Sequence, residues 1–511
     1  MRRGALGLIG ASALLAATAV SLAACPNGGN GIGSSCNSNG DCSSPLQCVA
    51  DTCVPLCQRA PECGEGYTCT AAGQCRVATG QAGDPCTGQA QCAAGLSCQL
   101  AGSATGSDGL LLASCVRDNT GARVLPDAAA CGSDADCRDG TCALGRCMDL
   151  CASTLDCPED QACKEVPRVE ADGAMFRACI PAAGTMQFDI ALSSPQETVL
   201  LPIPESAQSV SVVMSIDDAT QLVAARRVVA PDSTEVFDDA GDPFLTPVRT
   251  FPNFGQSVLQ MPSTPDTPLE PGAYQVEIAS LRGPNVIGSA TPHATVLVKL
   301  DTSATLDMHF YFLDLGDHPC SDALDVPALN AASAATSTDF QGYLDTIVSI
   351  FNGILQPGDI TYEDAPGHPD LDGLDVSNAA ALLSLGAHST GINIFVVRSL
   401  SPAGIEVFGP NPGPATLAGT PQSGIVVGLD TLCYRTWEQL GQLTAHELAR
   451  YMGLYNNVEV ANPGETDPIA DSDTSSDNLM FSSELGSGGQ YFGRSLSGEQ
   501  VQILSTSPVL R

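Results

Sequence analysis

Twenty cysteines between Cys36 and Cys179 form five groups of four, and this repeat restricts how the first third of the chain can fold. In every group the second cysteine follows the first by six positions, and an acidic or amide residue precedes it. Modules of about twenty residues with few large apolar side chains bury too little surface to offset their chain entropy. We therefore expect five tandem modules over residues 36–180, each held by two disulfides. The candidate cysteines are Cys36, Cys42, Cys48, Cys53; Cys57, Cys63, Cys69, Cys75; Cys86, Cys92, Cys98, Cys115; Cys131, Cys137, Cys142, Cys147; and Cys151, Cys157, Cys163, Cys179.

Four cysteines can pair in three ways, so the sequence leaves the connectivity of each module open. We favour bonds from the first cysteine to the third and from the second to the fourth. Zinc binding is the competing interpretation, and it is disfavoured because zinc sites usually carry C-x2-C pairs, which the repeats lack. The repeats resemble the Dickkopf-like cysteine-rich repeats of secreted proteins, tandem copies of which recur in envelope lipoproteins of myxobacteria. The resemblance implies a stiff stalk or a contact surface.

Residues 1–24 have the pattern of a secretory signal, with two arginines followed by an apolar run from Ala5. The run ends in Leu22-Ala-Ala-Cys25, which resembles the lipobox of bacterial lipoproteins. The resemblance implies cleavage before Cys25 and acylation of that residue, which makes membrane lipid the first expected partner. An ordinary cleavage site with Cys25 unmodified is the alternative. We expect an exported protein anchored in the cell envelope, with the outer membrane favoured, and a flexible tether over residues 25–35.

The charge balance argues against a nucleic-acid partner. The chain has 21 Lys and Arg against 57 Asp and Glu, a formal net charge of -36. Such a surface repels phosphate backbones, and no basic patch offsets it. We expect the acidity to serve solubility, and we expect a further partner, if there is one, to be an envelope or extracellular protein or peptide.

Cysteine is absent from residues 184–300, where short segments of alternating apolar and polar residues are separated by Pro, Gly and Asp. This pattern predicts an antiparallel β-sandwich. The segments lie at residues 188–192, 198–201, 209–215, 222–229, 272–278 and 294–300.

The pattern changes again from residue 303 to residue 511, where strands and helices alternate. A strand at 306–313 precedes a helical face formed by Phe340, Leu344, Ile347, Phe351 and Ile354. Strands at 392–397 and 424–428 follow, and then a helix over 437–452. The predicted fold is thus multidomain: disulfide modules, an antiparallel β-sandwich and a mixed α/β (α+β) unit.

The last of these helices carries an incomplete metal-binding pattern. In H-E-x-x-H the two histidines bind zinc and the glutamate polarises a water molecule. Here His446 and Glu447 are present, but Arg450 replaces the second histidine. In the longer pattern H-E-x-x-H-x-x-G-x-x-H, Gly453 matches the glycine and Asn456 replaces the third histidine.

Together with Asp477-Asn-Leu-Met-Phe481, which is similar to a Met-turn centred on Met480, this pattern resembles that of the metzincin zinc peptidases. The order strand, long helix, strands and ligand-bearing helix extends the resemblance over about the last 200 residues. A simple amphipathic helix is the alternative. Arginine has no lone pair for a metal and is always charged, so we expect Arg450 to pair with Glu447 or Glu459 and the domain to be a pseudoenzyme.

Three functional hypotheses remain open. The favoured one is a membrane-anchored envelope lipoprotein whose inactive metzincin-like domain acts in binding or scaffolding, with no cofactor. The second is an atypical active zinc metallopeptidase that uses His446 as a metal ligand and Glu447 as base. The third is a structural or adhesive cysteine-rich surface protein.

Two smaller predictions concern residues outside the motif. Cys320 and Cys433 are expected to form a disulfide that closes a long loop, worth about 4 to 5 kcal/mol if its geometry is good; buried thiols are the alternative. Among the other histidines, His309 is expected to pack in or beside a sheet, whereas His293, His318, His368 and His388 look like loop residues.

Overall fold

The computed structural model describes residues 34–43, 46–49, 51–63, 66–70, 73–118, 129–137, 141–240, 246–283, 285–313, 320–365, 374–402, 404–415, 417–458, 466–472, 475–481 and 493–511. The predictions for the signal sequence, Cys25, most of the tether, His318, His368 and Glu459 lie outside these ranges. Each helix within them is too short or too polar to cross a lipid bilayer.

The tandem disulfide modules are confirmed, and all five have the same connectivity. The first cysteine bonds the third and the second bonds the fourth, which is the pairing favoured from the sequence. The bonds are Cys36–Cys48 and Cys42–Cys53; Cys57–Cys69 and Cys63–Cys75; Cys86–Cys98 and Cys92–Cys115; Cys131–Cys142 and Cys137–Cys147; and Cys151–Cys163 and Cys157–Cys179.

Each module consists of one 3-10 turn followed by a small antiparallel hairpin. The turns are Asn39–Asp41, Ala60–Cys63, Gln89–Gln91, Asp134–Asp136 and Thr154–Asp156. The hairpin strands are β1 Gln47–Val49, β2 Thr52–Val54, β3 Tyr67–Cys69, β4 Cys75–Val77, β6 Leu96–Thr105, β7 Leu111–Arg117, β8 Thr141–Ala143, β9 Arg146–Met148, β10 Gln161–Arg168 and β11 Ala174–Pro181, with β5 Pro85–Cys86 added to the third hairpin.

The acidic or amide residue before each second cysteine has a structural role in its turn. Its side-chain oxygen accepts hydrogen bonds from backbone N–H groups that follow the first cysteine. In the first module the Asp41 carboxylate accepts from the N–H groups of Asn37 at 2.7 Å and Ser38 at 2.9 Å. In the third module the Gln91 amide oxygen accepts from the Thr87 N–H at 2.9 Å. The repeated residue therefore caps the turn that carries the two cysteines.

The modules pack on one another and do not form an extended stalk over the described residues. The Arg59 guanidinium in the second module lies against four carbonyl oxygens of the fifth module, the nearest that of Pro158 at 2.8 Å. The Gln89 N–H in the third module donates to the Leu150 carbonyl at 2.8 Å. Leu111, Leu150 and Phe176 also belong to the same apolar core as the sheets that follow.

After the modules the chain is rich in sheet and has few helices. Residues 185–299 form two antiparallel sheets. The four-stranded sheet has the order β12–β21–β14–β18, and the six-stranded sheet has the order β13–β19–β15–β16, with β17 on β15 and β20 on β19. The strands are β12 Thr185–Ile190, β13 Gln196–Ile203, β14 Ser209–Ser215, β15 Leu222–Val229, β16 Glu235–Asp238, β17 Asn253–Phe254, β18 Gln256–Met261, β19 Gly272–Gly283, β20 Val286–Ile287 and β21 His293–Lys299.

This arrangement differs from the single sandwich that the sequence predicts, because the four-stranded sheet is covered on both faces. Val212 and Met214 of β14 face the core shared with the six-stranded sheet. Val213, between them, faces the core of the C-terminal unit. Polar bonds cross the same junction, such as that from the Gln260 amide to the Met452 carbonyl at 2.9 Å. The sheet is therefore the middle layer between two other parts of the chain.

The C-terminal unit contains a five-stranded sheet of order β23–β22–β25–β28–β27, in which only β27 is antiparallel to its neighbour. Helices α2 and α4 pack against each other, and the Tyr343 hydroxyl on α2 bonds the Thr444 hydroxyl on α4 at 3.0 Å. The elements are β22 Thr305–Phe312, α1 Ala331–Ala334, α2 Thr338–Phe351, β23 Gln356–Asp364, β24 Leu374–Asp375, α3 Ala380–Leu383, β25 Ile392–Val397, β26 Leu400–Ser401, β27 Val407–Phe408, β28 Ile425–Gly428, α4 Trp437–Tyr451 and α5 Gly498–Ser505.

A single disulfide joins two distant segments of this unit. Cys320 is bonded to Cys433, as predicted, across a sequence separation of 113 residues. Close to it, the Trp437 indole N–H at the start of α4 donates to the Ala323 carbonyl at 2.8 Å. These contacts fix the beginning of α4 to the segment that precedes α1.

Candidate functional site

Helix α4 carries the motif residues and has strong signals at its N-terminus. The Thr436 hydroxyl accepts from the Gln439 N–H at 3.2 Å, while the Gln439 side-chain oxygen accepts from the Thr436 N–H at 3.0 Å. This reciprocal pair is a capping box. One face of the helix, which includes Leu440, Ala445 and Leu448, is fully buried in the core. The opposite edge presents His446 and Arg450.

The helix ends where the glycine of the motif lies. Gly453 has φ +109°, a left-handed conformation that strains other residues. A Cβ atom at this position would also collide with the amide of Gln260, which is bonded to the carbonyl of Met452. Gly453 therefore allows both the sharp turn and the close approach of β18. After this turn the Asn456 side chain lies beside His446.

His446 lies beside the turn centred on Met480. Its Nδ1 atom is 2.7 Å from the Leu479 carbonyl oxygen. Because a carbonyl only accepts, Nδ1 carries the hydrogen and Nε2 keeps the lone pair of the neutral ring. Burial lowers the pKa of His446, and the positive charge of Arg450 lowers it further, against the opposing effect of Glu447 and of the neighbouring Asn456 amide. The histidine is therefore neutral at pH 7.

Arg450 is paired with Glu447 on the same face of the helix. One guanidinium nitrogen, Nη1, donates to both carboxylate oxygens, at 2.9 Å and 3.1 Å. Both side chains are mostly buried, which strengthens the pair relative to one in water. The glutamate that would polarise a water molecule in the complete motif is thus engaged by the arginine that replaces the second histidine.

The turn at Met480 is held next to His446 by burial and hydrogen bonds. The Met480 side chain is fully buried in the core of the C-terminal unit. Its N–H donates to the Asn478 side-chain oxygen at 2.8 Å, and its carbonyl accepts from the Asn457 N–H at 3.0 Å. The structure therefore brings His446 and Asn456, which lie on either side of the helix end, together with the turn at Met480 from a later segment.

The residues present do not fit the zinc ion that the metzincin resemblance implies. His446 offers one nitrogen, whereas a zinc site requires three or four protein ligands. Arg450 brings a positive charge to the same place and no lone pair. Among the described residues, the groups of three closely spaced potential ligands all consist of cysteines in the five modules. All of these sulfur atoms are already in disulfide bonds.

A groove of about 730 Å³ opens beside the site, between the middle sheets and the C-terminal unit. Arg450 and Asn456 are among the residues that line it. One wall contains Phe251 and Phe254, which come from the segment around β17. Its remaining walls are formed by Ile216, Asp217, Ala219, Asn253, Gly255, Val376, Ser377, Ala379, Ala380, Leu383, Phe408, Gly409, Pro410, Asn411, Pro421, Gln422 and Tyr455.

Several hydrogen bonds hold the groove walls against the end of α4. With its amide turned to donate, Asn411 bonds the Arg450 carbonyl at 2.9 Å and the Leu454 carbonyl at 3.1 Å. The Tyr455 hydroxyl donates to the Arg249 carbonyl at 2.6 Å, and its ring lies edge-on to Phe251. No local pattern predicts these wall residues, because they converge only through the packing of the sheets on the C-terminal unit.

The other described histidines do not join His446. His309 is buried in β22, as predicted, with Nδ1 2.9 Å from the Thr361 hydroxyl and Nε2 2.9 Å from the Thr390 carbonyl. Its ring stacks on that of His388, which pairs with Glu363. His293 is exposed at the start of β21. None of these rings contributes a second imidazole to the site.

Comparisons with known proteins add no relative. No protein-family model matches the chain, and no curated protein is significantly similar to it.

Proposed function

We propose that this protein is a membrane-anchored envelope lipoprotein whose C-terminal unit is a metzincin-like pseudopeptidase that binds a protein or peptide. The single observation that carries the proposal is the ion pair between Arg450 and Glu447, because it engages the base and replaces a metal ligand at once. Four features support it: the arrangement of the elements, the lost metal site, the export pattern with its acylation site, and the groove.

The frame is supported by the order and contacts of the elements. A strand, β22, is followed by the long helix α2, further strands and the helix α4, the order that the metzincin resemblance implies. Gly453 breaks the helix, and the turn at Met480 lies against His446 through the Leu479 carbonyl. A simple amphipathic helix would not explain why these separate features meet at one place.

The loss of the metal site is supported by charge. A guanidinium at the position of a zinc ligand repels a divalent cation, and the nearby acid is already neutralised by that guanidinium. With Asn456 as a further replacement, a single imidazole remains at the positions of the three ligands. Hydrolysis by a zinc-bound water molecule is therefore not part of the proposal.

The anchor and the export are supported by chemistry at the other end of the chain. Ten disulfides in the modules require an oxidising compartment. The pattern that ends at Cys25 supplies an apolar export signal and an acylation site. Acylated Cys25 would hold the modules and the groove at a membrane surface.

The binding role is supported by the groove. Its volume lies in the range of ligand sites, and its lining is mainly apolar with a few amide and charged groups. Strand β27 lies at the outer side of the five-stranded sheet, and the groove is lined by its last residue, Phe408, and by the three residues that follow it. An extended peptide could add to this edge by backbone hydrogen bonds.

Zinc content and peptide hydrolysis test the proposal. We expect the full chain, purified after export, to contain far less than one zinc per molecule and to show no hydrolysis that a chelator removes. Stoichiometric zinc that is lost in the His446→Ala variant, together with chelator-sensitive cleavage, would establish the active metallopeptidase instead. Acylation is tested separately by the mass of the mature N-terminus and its change in Cys25→Ser.

A further inference from the structure

We propose that the groove takes an extended peptide segment that carries lysine or arginine, with the cationic side chains lying against aromatic rings in the groove wall. This inference rests on the proposed binding function and specifies its ligand class. It is carried by the aromatic lining of the groove, by the distribution of charge around it and by the exposure of one phenylalanine.

The aromatic residues of the groove are unusual in this chain. Phenylalanine, tyrosine and tryptophan make up only 5% of the sequence. Four of them, Phe251, Phe254, Phe408 and Tyr455, nevertheless line this one groove. Phe254 is 60% exposed although it is a large apolar side chain. Rings that face solvent in a groove offer π-faces, over which Arg and Lys side chains bind favourably.

The charges at the groove favour the same ligand. Asp217 is exposed in the groove lining, and Asp218 and Asp375 are next to lining residues. Arg282 lies near Asp218 and offsets part of its charge, so Asp217 and Asp375 carry the charge argument. The hydrogen bonds that Asp218 accepts from Thr220 and Gln221, and that Asp375 accepts from Ser377, hold the pKa of both carboxyls below its usual range, so both are charged at pH 7.

The positive charge among the groove-lining residues is paired with a carboxylate. Arg450 is the cation among the groove-lining residues, and Glu447 accepts two hydrogen bonds from it. The rim of the groove is therefore negative. The net charge of -36 on the whole chain also attracts cations from farther away. Such a field concentrates cationic ligands and repels acidic ones. It also opposes a second copy of this acidic chain as the occupant.

Three labelled nine-residue peptides test the inference against the full chain by fluorescence anisotropy. They alternate leucine with lysine, glutamine or glutamate, so that only charge differs. We expect the lysine peptide to bind most tightly and its affinity to fall as salt is added. Phe254→Ser should weaken it by roughly 3- to 10-fold through the loss of ring contact.

Two control variants make the result specific. Val286 is 58% exposed, nearly as much as Phe254, but it lies outside the groove lining, so Val286→Ser should leave the affinity unchanged. The double variant Asp217→Asn, Asp375→Asn should weaken the lysine peptide by roughly 3- to 10-fold. Asn at position 375 can still cap its turn. The Asp345→Asn variant, on the exposed face of α2, is the matched charge control.

The outcomes separate this inference from the proposed function. Binding of the glutamine or glutamate peptide as tight as that of the lysine peptide, and equally sensitive to Phe254→Ser, would overturn the charge preference and leave peptide binding intact. If no peptide bound in a way that depends on Phe254, both would be wrong. Self-association that Phe254→Ser abolishes would assign the groove to a second copy and overturn the inference.

Discussion

In the first two cysteine modules, the buried apolar side chains are almost all cysteines, with Ala60 as the exception. The C-terminal unit instead buries large rings around one another. Phe310 lies 5.4 Å from Phe340, and Phe340 lies 5.3 Å from Tyr343, measured between ring centroids. The modules are therefore held by covalent bonds and capped turns, and the C-terminal unit by apolar packing.

The two kinds of stabilisation place different constraints on the surface. In a module, the positions of the cysteines and one capping residue determine the chain path, so most of the remaining surface is free to vary. In the C-terminal unit, packing fixes the orientation of α4 and of the turn at Met480. A site that depends on the meeting of His446, Arg450 and Asn456 can be built only on the second kind of structure.

Reduction of the disulfides is expected to produce the largest difference in stability between the modules and the C-terminal unit. Loss of a native disulfide from a small secreted domain costs about 2 to 5 kcal/mol, and the first modules have little apolar core to compensate. Under reducing conditions we expect the backbone amides of residues 36–77 to lose their protection against hydrogen exchange, while those of β22, β25 and α4 remain protected. Hydrogen exchange with mass spectrometry measures both regions in one sample.

The matched control removes the disulfide of the C-terminal unit. The Cys320→Ser, Cys433→Ser variant should lower the stability of the C-terminal unit and yet leave it folded, because its core is intact. If the modules kept their protection when reduced, or if the C-terminal unit unfolded with them, the contrast between covalent and apolar stabilisation would be wrong.

A smaller effect is expected from the arginine that joins two modules. Arg59→Met keeps the apolar stem but removes the charged hydrogen bonds to the carbonyl oxygens of Thr154, Cys157, Pro158 and Gln161. Hydrogen bonds to charged groups contribute about 1.5 to 3 kcal/mol. We expect the contact between the second and fifth modules to open while their disulfides remain formed.

Exchange at residues 154–161 measures the opening. Arg76→Met, at an exposed position of the second module, is the control and should leave that exchange unchanged. Equal protection in both variants would show that the modules are held together by other contacts and that Arg59 is incidental.

The smallest effect is a pH dependence of opposite sign in the two regions. Backbone N–H groups hold the pKa of Asp41 and Asp136 below its usual value, so their contribution to stability is present above about pH 4 and is lost as pH falls further. Burial raises the pKa of Asp467 in the C-terminal unit to about 6. Its contribution is largest below about pH 4 and is lost as pH rises through about 6.

The third module supplies a natural control, because Gln91 caps the turn in place of an aspartate and its amide does not titrate. Protection factors corrected for the intrinsic pH dependence of exchange should fall with acid in the first and fourth modules and stay constant in the third. Asp136→Asn should make the fourth module behave like the third. Equal acid sensitivity in all three would contradict the capping role.

The sequence determined the modules almost completely, because cysteine spacing and the capping residue act within about twenty residues. It also located most strands of the middle region. Strand β18 was missed, because all six of its residues are buried and no alternation remains. The same burial explains why the prediction of a sandwich holds only in part: contact of the four-stranded sheet with the C-terminal unit on a second face leaves no local signal.

The candidate site was predictable where its residues are close in sequence and not where they are distant. The spacing of His446, Arg450 and Gly453 follows from one helix and its end, and the pairing of Arg450 with Glu447 follows from their separation by three residues. The groove wall at Phe254 depends on how the sheets pack on α4. No pattern in the sequence reports that packing.

We propose that His446, Arg450 and Asn456 lie at the positions of a former metal site. Zinc titration of the Arg450→His, Asn456→His variant by calorimetry tests it directly, with wild type and the Arg450→Ala, Asn456→Ala variant as controls. We predict one zinc per molecule in the double histidine variant and none in either control. Stoichiometric zinc in wild type, or no more zinc in the histidine variant than in the alanine variant, would contradict the account.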